Sequence, residues 1–124
     1  MKFQPDSLAG TNTVSRHERG AVWINGVRWA HSVLVPWRGE VQAWPLDGLP
    51  ALTPGHFEQA LALKPELVIF GSGERLTFVA PALYRSLIGA RVGIETMDTA
   101  AACRTYNVLA AEGRSVVAAL LVTP

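Results

Sequence analysis

The residues whose types and spacing would support chemistry fall in two places. Gly71-Ser72-Gly73 follows directly on the apolar run Leu67-Val-Ile-Phe70, and in open α/β sheets ligands bind outside the carboxyl ends of the strands. Asp98-Thr99 opens a helical segment, where a side-chain oxygen can accept from unpaired backbone N–H groups. If the strands that lead into these two sites are neighbours, Ser72, Gly73, Asp98 and Thr99 share one crevice, with a carboxylate beside a hydroxyl. The glycine turn then either cradles a small ligand or anion on its backbone N–H groups or is simply a tight turn that needs positive φ. It does not match the phosphate fingerprints: a dinucleotide loop needs a third glycine where Leu76 stands, and a Walker loop needs Gly-Lys followed by Ser or Thr.

On the helix that Asp98 opens, a rotation of about 100° per residue puts Ala102, Tyr106, Leu109 and Ala110 on one stripe facing a core, with Cys103 at its margin. Arg104 and Asn107 lie on one flank, where they reach a ligand or partner, or else pack on the N-terminal hairpin. Cys103 reads as a small buried apolar residue, because no histidine is placed by local sequence to activate its thiolate. As the sole cysteine it forms no internal disulfide. His17, His31 and His56 share no metal-ligand spacing, and Asp98 has no second acidic residue near it for acid–base work. Glu74-Arg75 and Glu112-Gly113-Arg114 read as turn-flanking surface charges. The expected site is therefore a ligand crevice of Ser72, Gly73, Asp98, Thr99, Arg104 and Asn107, with no catalytic residue, metal or cofactor assigned.

These residues need an α/β frame to position them. Asn25-Gly26 between Ala21-Val-Trp-Ile24 and Val27-Arg-Trp-Ala30 predicts a type I′ hairpin that pairs Ile24 with Val27, Trp23 with Arg28 and Val22 with Trp29. Its outer face then sets Trp23 beside Arg28 as a cation–π pair. Thr53-Pro54 reads as an N-cap with proline at the first helical position, followed by a helix to about Leu63 that Pro65 stops. Leu67–Phe70 and Val116–Val122 are unbroken apolar runs, as strands covered on both faces require. Between them, Pro81–Ile88 looks helical, Val92–Glu95 extended and Thr99–Glu112 helical, with Gly113 at the position of a left-handed helix end. Strands joined by helices in this way predict a compact, layered α/β fold, with a mixed, mostly parallel central sheet, flanking helices and an N-terminal β-hairpin. Residues 1–124 are expected to form one domain, of which 1–19 are partly irregular.

Bulk properties agree with one core. The chain has 124 residues, 49% hydrophobic and only 17% charged, so much of it must be buried or some apolar surface must meet a partner. Its 11 basic and 10 acidic residues are scattered, unlike the clustered positive charge of nucleic-acid binders. Met1–Val14 resembles neither a signal peptide nor a presequence, and Val116–Val122 is far shorter than the roughly 20 residues that span a bilayer. A cytoplasmic location without membrane insertion is expected.

The stretch from Gly93 through Asp98-Thr-Ala-Ala-Ala-Cys-Arg-Thr-Tyr-Asn-Val-Leu109 to Leu120 resembles the signature of a small family of unknown biochemical activity with the Mth-type domain. The family includes mitochondrial complex I assembly factor 3 proteins and adipogenesis-associated proteins. Ile24-Asn-Gly26, Leu67–Gly73 and Glu112-Gly-Arg114 also match, so the resemblance runs from about Gly20 to Leu121. It implies a layered α/β fold around a mixed sheet and an assembly or interaction role. Two functions follow as expectations. One is a non-enzymatic accessory protein using apolar and aromatic surface around Trp37 and Trp44 to contact a protein partner or a second copy. The other is a small-molecule or anion binder, or minor enzyme, built on the crevice.

Overall fold

A computed structural model describes residues 10–124. The Asn25-Gly26 turn forms with both residues at positive φ, 54° and 83°, and joins β2 (Ala21–Ile24) to β3 (Val27–Trp29) in the expected register. A third strand, β1 (Val14–Glu18), pairs antiparallel with β2 across the two-residue link Arg19-Gly20. The predicted hairpin is thus part of a three-stranded sheet. On its outer face the Trp23 ring lies between two guanidinium groups, 4.6 Å from Arg16 and 5.7 Å from Arg28.

The second sheet has five strands. β4 (Val33–Pro36), β5 (Gln42–Ala43), β6 (Leu67–Gly71), β7 (Gly93–Met97) and β8 (Val116–Leu120) lie in the order β5-β4-β8-β6-β7. The expected parallel unit is β8-β6-β7, reached by helical crossovers. Strand β4 extends it antiparallel to β8, and β5 antiparallel to β4, so the sheet is mixed.

Alternation along the central strands divides the core in two. Val35, Ile69, Ala118 and Leu120 point to one face, where Ala102, Cys103, Tyr106 and Ala110 of α3 (Thr99–Ala111) and Val22 and Ile24 of the small sheet cover them. Leu34, Val68, Phe70 and Ala119 point to the other, under α1 (Pro54–Leu61) and α2 (Arg85–Gly89). Because both faces are covered, every residue of β6 and β8 is buried, which accounts for their unbroken apolar sequence.

Trp44 is a correction. It is only 1% exposed, set edge-on to Phe57 and Phe70 at 6.1 and 6.0 Å, with its indole N–H donating to the His56 carbonyl at 3.0 Å. A buried ring whose N–H is satisfied is core, not contact surface. Trp37 is half-buried beneath the Arg38 guanidinium, 4.7 Å from its ring.

Candidate functional site

Parallel pairing of β6 with β7 brings Gly71 opposite Met97, so the turn after β6 and the start of α3 meet at one sheet edge. Ser72, Gly73, Asp98 and Thr99 are therefore neighbours. The approach of α3 is close: a Cβ on Gly71 would lie 3.0 Å from Thr99 Cα and Oγ1 and 3.2 Å from the Ala102 Cβ. Gly71 is what lets the helix seat on the strand, and Gly73 makes the turn at φ 107°.

Most of the polar atoms here are already engaged. Thr99 Oγ1 accepts from Gly73 N at 2.9 Å and donates to Leu121 O at 2.8 Å. Ser72 Oγ accepts from Thr77 N at 2.9 Å and donates to Arg75 O at 2.7 Å, with Met97 O at 3.1 Å. Both side chains are 3% exposed. Asp98 Oδ1 caps α3 by accepting from Ala101 N at 2.9 Å, the arrangement its place before the helix predicts.

Strand β1 supplies what the sequence reading missed. A groove of about 260 Å³ is lined by His17, Arg19, Gly73, Glu74, Asp98 and Ala100, and an ion pair of Arg19 with Glu74 at 2.7 Å ties the end of β1 to the glycine turn. A second groove of about 240 Å³ shares His17 and Ala100 and continues past Ser15, Cys103, Arg104 and Asn107. Together they follow the seam between β1 and α3. Val-Ser-Arg-His-Glu carries no alternating apolar pattern, and the one local signal was Gly20, whose φ of 83° closes the β1–β2 link.

Arg104 and Asn107 thus line the second groove, apart from the crevice proper, and they differ. Asn107 spends its carboxamide on β1, accepting from Val14 N at 2.9 Å and donating to Val14 O at 2.8 Å, whereas Arg104 is exposed. Cys103 is 4% exposed, and burial pushes its thiol up to about 12, too high for a nucleophile at neutral pH. Tyr106, beneath, donates to Asn12 O at 2.9 Å with Pro36 O at 3.1 Å, and burial raises its phenol as well. His17 shares a groove with Cys103, yet the thiol it would have to activate is closed off by packing. The remaining histidines are structural: His31 stands edge-on to Trp29 at 5.4 Å, and His56 Nδ1 accepts from Thr53 N at 3.0 Å at the start of α1.

Among the described residues no helix is long and apolar enough to cross a membrane. Residues 14–121 match a family model described as a protein of unknown function (DUF498/DUF598). The chain is similar to the bovine NADH dehydrogenase [ubiquinone] 1 alpha subcomplex assembly factor 3, 33% identical over 113 residues that make up 89% of this chain and 60% of that protein. The chain thus spans less than two-thirds of that relative's length. Two solved structures share the fold. A Bordetella parapertussis protein superposes with a TM-score of 0.87 at 40% identity, covering 91% of this chain and 97% of that one. A Bordetella pertussis protein described as an Mth938-like domain superposes with a TM-score of 0.84 at 34% identity, covering 98% and 92%.

Proposed function

We propose, for a chain that belongs to the family of proteins of unknown function DUF498/DUF598, that it is a non-enzymatic interaction or assembly accessory protein whose partner is another protein. One observation carries this reading: at the carboxyl ends of β6 and β7 the hydroxyls of Ser72 and Thr99 are consumed by backbone groups, while the seam between β1 and α3 stays open beside them. With the Ser72 and Thr99 hydroxyls committed and the Cys103 thiol buried, the site offers no activated hydroxyl or thiol nucleophile. The open seam is lined by the exposed Arg104, and one turn further along α3 Val108 is 57% exposed beyond it, a mixed surface that suits a partner's side chains.

The similarity to complex I assembly factor 3 supports assembly of a respiratory complex as the process served. In this reading the protein works in the cytoplasm, and a second copy of itself is one candidate for the partner. The test is affinity capture from the native cell, with mass spectrometry of bound proteins and bound metabolites. A reproducible protein partner, lost on Arg104→Glu and Val108→Asp, is the expected result. A metabolite lost on Asp98→Ala, with no protein captured, overturns it.

The second reading, a small-molecule or anion binder, is favoured by the groove of about 260 Å³ in which Arg19, His17 and Asp98 converge. The same experiment decides between the two.

A further inference from the structure

The layer of α1 and α2, on the far side of the sheet from the seam, presents a surface that the site does not use. Between β6 and α2 the chain exposes Leu76 at 52% and Phe78 at 75%, and α2 itself exposes Ile88 at 55%. Of the five large apolar side chains that are exposed among the described residues, three fall between residues 76 and 88. The loop is anchored at both ends. Ser72 Oγ binds Arg75 O and Thr77 N at its base, and Val79, Leu83 and Tyr84 pack on the core at its return. Phe78 stands between these anchors and is displayed outward.

Charge within residues 75–91 has one sign, while the neighbouring α1 carries the exposed Glu58. Arg75, Arg85 and Arg91 are all exposed, and none is ion-paired among the described residues, where the pairs are Arg16–Glu18, Arg19–Glu74 and Arg114–Glu66. Glu74 is committed to Arg19. Glu95 alternates with Ile94, which packs on the α1–α2 side, so its carboxylate belongs to the opposite face.

We propose that the Arg75–Arg91 segment is a peripheral docking surface for an anionic lipid bilayer, with Phe78, Leu76 and Ile88 entering the headgroup boundary and the three arginines meeting lipid phosphates. A protruding ring needs no matching pocket in a bilayer, whereas a protein partner must supply one. Arginine stems lie along the apolar boundary while their heads reach the phosphates. This inference rests on other residues than the protein partner at the β1–α3 seam does, although its loop begins beside Glu74, which lines that groove.

The test is co-sedimentation with vesicles of phosphatidylglycerol and phosphatidylcholine in equal parts, against vesicles of phosphatidylcholine alone. The protein is expected to sediment with the mixed vesicles only and to detach as salt is raised. Phe78→Asp should weaken binding at least about tenfold, and the triple change Arg75→Gln, Arg85→Gln, Arg91→Gln about a hundredfold. Val27→Asp, at an exposed position of the β2–β3 hairpin, should bind as the unsubstituted chain does. Circular dichroism checks that each variant is folded, and the salt dependence of the unsubstituted protein gives the electrostatic answer without any substitution. No sedimentation with anionic vesicles, equal sedimentation with neutral ones, or binding unchanged by both Phe78→Asp and the arginine changes overturns the proposal. An acidic protein as the true occupant would appear as the first of these.

Discussion

Asn107 on α3 pairs with Val14 on β1 as another strand would, its carboxamide accepting from the Val14 N–H at 2.9 Å and donating to the Val14 carbonyl at 2.8 Å. A single side chain closes a ladder position that would otherwise be left open at the edge of the small sheet. This contact fixes the seam between β1 and α3, and so the two grooves that His17 shares. Replacing Asn107 with leucine keeps the volume and removes both bonds, which should cost about 1–3 kcal/mol in a half-buried setting. Hydrogen exchange at the Val14 amide should accelerate well beyond that of β6. Unchanged protection there would show that β1 is held by its pairing with β2 and by packing, without the carboxamide.

Thr99→Val is isosteric and strands two buried backbone groups, Gly73 N–H and Leu121 C=O. Leaving both without a partner should destabilise the fold by about 2–4 kcal/mol, read from the denaturant midpoint. Asp98→Ala removes the cap of α3 and should cost about 1 kcal/mol. If Thr99 serves a ligand and not the frame, the order of the two effects should reverse.

Gly71→Ala places a methyl group 3.0 Å from the Thr99 backbone and hydroxyl. The helix must move off β6, at an expected cost of about 1–3 kcal/mol. The shift should be visible as chemical-shift changes concentrated at residues 99–102. A neutral substitution would mean that α3 seats more loosely than the contact implies.

Cys103 is held neutral by burial, its thiol raised to about 12. Alkylation by iodoacetamide at neutral pH should therefore be slow in the folded protein and rise to that of a free cysteine once denaturant unfolds it. Rapid labelling under native conditions, matched by His17→Ala suppressing it, would reveal a reactive thiol.

Glu66 joins the starts of β6 and β8, accepting from Arg114 Nε at 2.8 Å and from Ser115 Oγ at 3.1 Å. The Arg114 hydrogen bond is the main cause that lowers its carboxyl below the usual value, with Ser115 adding to it. A carboxyl lowered in the folded state stabilises the fold above its unfolded pKa, and that stabilisation is lost as pH falls through the folded value. Glu66→Gln should therefore reduce stability slightly at neutral pH, and the difference from the unsubstituted protein should vanish in acid. Because the pair is exposed, salt should shrink the difference as well. A difference that persists at low pH would assign the effect to packing.

Several elements were legible from residue order because the interactions that set them span only a few residues. Asn25-Gly26 specified the register of β2 with β3, Asp98 specified where α3 begins, and the spacing of Ala102, Tyr106 and Ala110 specified its buried face. The apolar runs of β6 and β8 stated that both faces would be covered. Other features are pairings across the chain, which no local pattern encodes. Val14–Glu18 is polar enough to read as irregular, and becomes a strand because β2 offers an edge and Asn107, far along the chain, offers a carboxamide. Pro36 ends an apolar stretch, yet the stretch joins the sheet antiparallel to β8. Trp44, aromatic and in a loop-rich region, is buried because Phe57 and Phe70 converge on it. The sequence by itself named the residues at the strand ends, Ser72, Gly73, Asp98 and Thr99. Tertiary structure alone decided that their hydroxyls serve neighbouring backbone groups and that His17 and Arg19 complete the groove, because hydrogen-bond partners are chosen by the order of strands in the sheet.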